Sequence, residues 1–300
     1  GGKVVHPVLG LPGGVAKRLT AEKREEILAF AADAVEFARF TLQIFDDLVL
    51  QDEDYRAMLL AGPYKHRTCY MGLVNAEQQV DFYEHDVRVV APDGKELLQF
   101  APREYRRHLA EHVEPWSYVK FPYLRERGWQ GFVDGDGTSL VRVAPLGRLN
   151  SAAGMATPQA QEEHDRLFAR LEGKPAHNTL AWHWARLVEV LQAAEAIQQL
   201  AGDKEVLTDP IRNLDLQTPH EGVGIVEAPR GTLIHHYRSD AAGVITMANL
   251  IVATNFNAAP ICMSIEQAAR GLIRGGNISD GLLNRVEMAF RAYDPCFSCA

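Results

Sequence analysis

The chain has 300 residues, 47% hydrophobic and 23% charged, with a formal net charge of −8. Such a chain can bury a large core as one big domain or two ordinary ones. The acidic balance, with no long basic run, argues against nucleic acid or an anionic membrane surface as the main partner. The longest apolar stretch, GVITMANLIVA at 243–253, is too short to span a bilayer. No charged-then-apolar signal opens the given residues, but GGKVVHP lacks a methionine, so processing or truncation is expected to have removed the true beginning. Cys69 and Cys262 stand isolated, so a reducing compartment fits better than a disulfide framework.

Residues 1–15, rich in Gly and Pro, are expected to form an extended loop. Thr20 is a plausible N-cap for a long helix in which Ile27, Phe30, Ala31, Ala34, Phe37, Ala38 and Ile44 share one face. VRVV, APDG and KELLQF within 79–100 predict a hairpin, and 135–146 another strand. Helices return at 158–172 and 178–200, the second with a stripe of Leu180, Trp184, Leu187, Leu191 and Ala194. Two β-branched runs flank RSDAAG and predict an antiparallel hairpin, with His235 and His236 on opposite faces, one exposed and one packed. Short helices are expected near 264–274 and 280–292, the latter stopped by Pro295, while 62–78 and 114–130 read as surface loops. No internal repeat or linker divides the chain, which predicts a single mixed unit over 1–300.

Three stretches could carry chemistry. Cys296 and Cys299 form a CxxC pair directly after the last helix. Paired thiolates suit zinc, Cu(I), an iron–sulfur cluster or nickel; the alternatives are two small buried residues or a disulfide at the chain's end. Zinc would need a second close pair, which Cys69 and Cys262 do not form, and a thioredoxin-like motif would precede a helix. In VEAPRGTLIHHY, Pro229 and Arg230 sit between two strand-like runs, and Gly231 allows a sharp bend. A guanidinium there could be aimed into a site or could pair with Glu227 or a nearby acid at the surface. In IVATNFNAAP, Thr254, Asn255 and Asn257 could donate hydrogen bonds to an anion, or could be a polar loop.

Together EAPRGTLIHHY, NLIVATNFNAAP and GLLNRVEMAFRAYDPCFSCA closely resemble the C-terminal part of the large subunit of [NiFe]-hydrogenases, nearest to the cytosolic NAD-reducing or cofactor-linked members. The opening GGKVVHPVLGLPGGV also resembles a family segment, so the resemblance runs through essentially all 300 residues. It implies an α+β, predominantly helical fold with long core helices and small antiparallel hairpins. It implies a Ni–Fe centre carrying CO and cyanide on iron, with Mg a further candidate. Cys296 resembles the terminal nickel ligand and Cys299 the bridging one. Arg230 resembles the arginine over the open metal position, with Asp294 orienting it, Pro229 packing beside the diatomic ligands and Thr254 bonding a cyanide.

The family's other CxxC precedes the segment that opens this chain, and members continue past the last cysteine to a His where a maturation endopeptidase cuts. The sequence is therefore expected to be a portion of a larger subunit. The expected activity is H2 ⇌ 2 H+ + 2 e−. Expected partners are an iron–sulfur small subunit, diaphorase subunits with FMN, the endopeptidase and metallochaperones, all cytoplasmic. The rivals are a non-catalytic relative like the quinone-site subunit of complex I, which has lost the cysteines, and a hydrogen sensor.

Overall fold

The computed structural model describes residues 10–83, 85–215 and 217–299. The GGKVVHPVL opening thus lies outside the described residues. From Gly10 the chain does not stay an open loop: β1 (Gly10–Leu11) pairs antiparallel with β2 (Gly14–Val15) around Gly13, whose φ of 84° suits a tight turn.

Thr20 caps α1 (Ala21–Phe45) as expected, its side chain accepting from the Lys23 amide at 3.2 Å. The buried face of α1 is rotated from the predicted one. Ala31, Val35, Ala38 and Leu42 face inward, whereas Phe30 and Phe37 are 70% and 64% exposed. The two small alanines let α1 lie close against α6 (Trp182–Gly202), and the bulky rings are left on the flank. On α6, Trp184, Leu191 and Ala194 of the predicted stripe are buried and Leu187 is half-buried. After α2 (Glu53–Leu60), residues 62–78 are no surface loop. They hold β3 (Cys69–Val74), buried at every position. CYMGLV lacks alternation because both of its faces are covered.

The first sheet has the order β5-β4-β3-β8, with the predicted hairpin β4 (Asp86–Val90) and β5 (Glu96–Phe100) antiparallel. Only Val141–Arg142 of the predicted 135–146 strand pairs, as β8, parallel to β3. It leads into α4 (Pro145–Ser151), buried throughout. After the single turn α3 (Tyr105–His108), β6 (Leu109–Val113) and β7 (Lys120–Leu124) make a hairpin, which claims part of the expected 114–130 loop.

The N-terminus of α5 (Pro158–Arg170) is capped from another element. Buried Glu195 of α6 accepts from Thr157 Oγ1 at 2.6 Å and from the Ala160 amide at 3.0 Å. Glu195→Ala is expected to cost about 2 kcal/mol, since two buried donors lose a charged acceptor; urea unfolding of the full-length protein will measure it.

The second sheet has the order β11-β10-β9, built from β9 (Glu221–Ala228), β10 (Gly231–Ser239) and β11 (Ile245–Ile251), all antiparallel. His236 is buried and His235 half-buried, as the alternation requires. β11 runs straight into α7 (Ala253–Leu272), much longer than the helix predicted near 264–274. The Thr and Asn residues expected in a loop form its first turn, where Asn255 Oδ1 accepts from the Val252 amide at 3.3 Å. Helix α8 (Asp280–Arg291), capped by Ser279, buries Val286 and Ala289.

Helices and sheets thus segregate in an α+β arrangement. One apolar cluster joins α1, α5, α6 and α8 through Leu42, Leu167, Trp184 and Ala289; another joins the sheets through Met71, Val87, Ile234 and Phe256. Among the described residues no helix is long and apolar enough to cross a membrane.

Candidate metal centre

β9 and β10 are joined by just two residues, Pro229 and Arg230, because Ala228 pairs directly with Gly231. Gly231 has a φ of 121°, and a Cβ there would sit 2.2 Å from Val143 Cγ2 and 2.7 Å from the Ala144 nitrogen. The corner is therefore pressed against the β8–α4 junction, where only glycine fits. Asn257, buried on α7, ties the two together. Its Oδ1 accepts from the Val143 amide at 3.1 Å, and its Nδ2 donates to the Arg230 carbonyl at 3.4 Å.

From this corner Arg230 reaches the end of the chain. Its Nε donates to the Asp294 carbonyl at 2.5 Å, and its Nη2 lies 3.1 Å from Asp294 Oδ2. The partner is thus Asp294 and not Glu227, whose Oε2 accepts from Arg148 Nη1 at 2.7 Å. Asp294 has a φ of 50°, a left-handed step that turns the chain out of α8 towards Pro295 and the cysteines. The Cys296 amide then donates to Thr254 Oγ1 at 3.3 Å, in the buried first turn of α7. Pro229 lines a cavity of about 360 Å³ together with Phe82, Arg148, Arg186, Glu189 and Asp294. The structure thus brings Arg230, Asp294 and Pro229 to one corner, and anchors Cys296 to Thr254 one residue beyond Pro295.

Cys296 and Cys299 are joined as a disulfide, with Cα atoms 5.3 Å apart. Disulfide sulfurs are not thiolate ligands, so metal binding requires two-electron reduction of this pair. Once reduced, two soft donors one helical turn apart suit a nickel or iron ion. They supply only part of a ligand set: among the described residues no group of three or more His, Cys, Asp or Glu could hold a metal. Cys69 does not complete it. It is fully buried, and burial pushes its thiol up to about 11. Burial likewise raises the half-buried Cys262. The donor chemistry of the CxxC pair therefore fits a thiolate-held metal, for which this chain's described residues provide two ligands.

Sequence reasoning missed the charges behind the corner. Arg148 on α4 is 2% exposed, and its fork meets Glu189 with Nε–Oε1 at 2.5 Å and Nη2–Oε2 at 2.6 Å. Burial alone would lower the Arg148 pKa, but Glu189 and Glu227 reverse that and leave it above the ordinary arginine value. A signal existed: Glu189 interrupts the apolar run LVEVL, and it shares a helix face with buried Ala185, Val188 and Gln192. A carboxylate in such a place needs a buried cation.

Known proteins resemble this chain. A family profile for nickel-dependent hydrogenases matches residues 73–300. An F420-non-reducing hydrogenase iron-sulfur subunit of Archaeoglobus profundus is 46% identical over all of this chain and 62% of its own length. The NAD-reducing hydrogenase HoxS subunit beta of Cupriavidus necator is 38% identical over all of this chain and 61% of its own. Among solved structures, an NAD+-reducing [NiFe]-hydrogenase in the H2-reduced state superposes with a TM-score of 0.87 at 35% identity, covering 97% of this chain and 62% of that one. The chain spans about 62% of the length of these relatives. On the profile match and these likenesses, the chain belongs to the nickel-dependent hydrogenase family.

Proposed function

We propose that the 300 residues are the C-terminal portion of the catalytic large subunit of a [NiFe]-hydrogenase. The observation that carries this reading is the corner itself: a two-residue hairpin turn delivers Arg230 onto Asp294, two residues ahead of a CxxC pair anchored by Thr254. In the reduced protein Cys296 and Cys299 would hold the Ni–Fe group, which when bound supplies heterolytic cleavage of H2. Arg230 presents a permanent cation and spare N–H donors to the space beside the cysteines, and Asp294 fixes its plane. Pro229 brings an apolar wall without an N–H, suited to weakly polar ligands such as CO. Thr254 keeps its hydroxyl hydrogen free to donate to an anion such as cyanide while its oxygen receives the Cys296 amide. For the proton, Cys296 Sγ is the easier acceptor, because an arginine resists deprotonation in proteins.

The relatives named as NAD-reducing support NAD as the electron acceptor, by way of a small subunit with iron–sulfur clusters and a diaphorase carrying FMN. A cytoplasmic site, a maturation endopeptidase, metallochaperones and a Mg ion belong to the same reading. The two cysteines speak against a non-catalytic complex I-like role. The full-length protein, matured together with its partners, is expected to contain about one nickel and one iron and to show infrared bands of metal-bound CO and cyanide. Properly matured preparations lacking both metals and bands would sink the reading.

A further inference from the structure

Behind the Arg230 corner lies a row of charges that the proposed chemistry does not use, and helix α6 carries its centre. Arg186 and Glu189 are three residues apart, one turn of the same helix. Each grips a different side of the site. Arg186 Nη2 donates to the Ala292 carbonyl at 3.1 Å, two residues before Asp294. Glu189 holds Arg148 by both arms of its fork, and Arg148 Nη1 donates to the Ala228 carbonyl at 2.9 Å, two residues before Arg230. The same Nη1 meets Glu227 Oε2 at 2.7 Å. The remaining Glu227 oxygen accepts from Thr232 Oγ1 at 2.8 Å and the Leu73 amide at 3.1 Å. The corner is thereby fixed in side chain and backbone alike.

We propose that Arg186, Glu189 and Arg148 are positioning residues that set the separation and facing of Arg230 and Asp294, with α6 as their common ruler. A buried ion-pair cluster is a poor source of stability, since apolar residues of the same volume often serve as well. What it provides is direction: a planar fork with two bonds to one carboxylate cannot rotate. Both walls of the site hang from one rigid helix turn, so an error in either grip shifts the Arg230–Asp294 pair. The pair itself is half-exposed, and Asn257 and Thr254 restrain only its backbone neighbourhood, not the facing of the two side chains.

The activity arm of the test rests on the hydrogenase reading; the structural arm does not. In the full-length protein with its partners, Arg148→Lys and Arg186→Met are expected to keep the metal content and lose roughly 10- to 100-fold in turnover, with KM for H2 little changed. The CO and cyanide bands should shift, a signature that loss of stability alone would not give. Arg238→Lys, in a surface pair with Glu221, is the control and should change nothing. Crystal structures of the same variants should show the Arg230–Asp294 contact broken or turned. Wild-type turnover and bands in both variants, or an unchanged Arg230–Asp294 contact, would overturn the proposal. If Arg148→Lys does not fold, Arg186→Met decides, because Arg186 is half-exposed and makes one hydrogen bond. A wild-type complex without nickel would refute the hydrogenase reading, and the crystal structures would still decide this one.

Discussion

Arg230→Lys in the complete enzyme is expected to lower hydrogen turnover on the order of 10²- to 10³-fold while leaving nickel and iron content unchanged. The guanidinium engages Asp294 twice, through Nε to the carbonyl and Nη2 to the carboxylate. A lysine ammonium can satisfy one of these but cannot span both with a fixed plane. The charge therefore survives the substitution while its direction does not. On the proposed reading the effect should fall on kcat rather than on KM, because a preorganised donor would act where charge develops. Hydrogen-dependent reduction assays, with metal analysis of the same samples, will test this. A Lys variant with full turnover would show that the cation alone suffices and that its aim is irrelevant.

Gly231→Val should damage the fold itself. At a φ of 121° a β-branched residue is strained, at a cost of about 1–3 kcal/mol. Its Cβ would also overlap Val143 Cγ2 at 2.2 Å and the Ala144 nitrogen at 2.7 Å. Relieving that overlap costs about 1–3 kcal/mol more, because the β8–α4 junction is buried and backbone atoms cannot step aside. The sum of about 2–6 kcal/mol is a large share of a domain's stability. The expected result is a lower denaturation midpoint, or loss of soluble protein. A Val variant as stable as the wild type would mean that the hairpin corner does not press on this junction.

The corner was the most legible part of the sequence. EAPRG announces a turn with a charged tip, and DPCFSC announces a thiolate pair after a helix stop, because both rest on local backbone chemistry. What they share came only from the family resemblance and from no local pattern, since Arg230 and Asp294 are 64 residues apart. The choice between Asp294 and Glu227 as partner depended on Arg148 having already claimed Glu227. Local polarity misled at α7. Thr254, Asn255 and Asn257 look like loop residues, yet their side chains serve as an anchor, an end cap and a tie in the first turn of a helix. Periodicity misled at α1, where phenylalanines suggested the inward face and alanines formed it. It was silent at β3, because a strand covered on both faces has no alternation to show.

The row of side chains from Glu227 through Arg148, Glu189, Arg186 and Asp294 to Arg230 contains three cations and three anions, 3 − 3 = 0. Its Glu227, Arg148 and Glu189 end is buried, so this row itself carries no surplus charge to offset a change of charge beside the cysteines. An electron arriving at this corner on its own would be electrostatically costly. One accompanied by a proton would leave the balance undisturbed. On the proposed hydrogenase reading, such a balanced wall would favour an electron and a proton arriving together, whichever atom finally carries the proton.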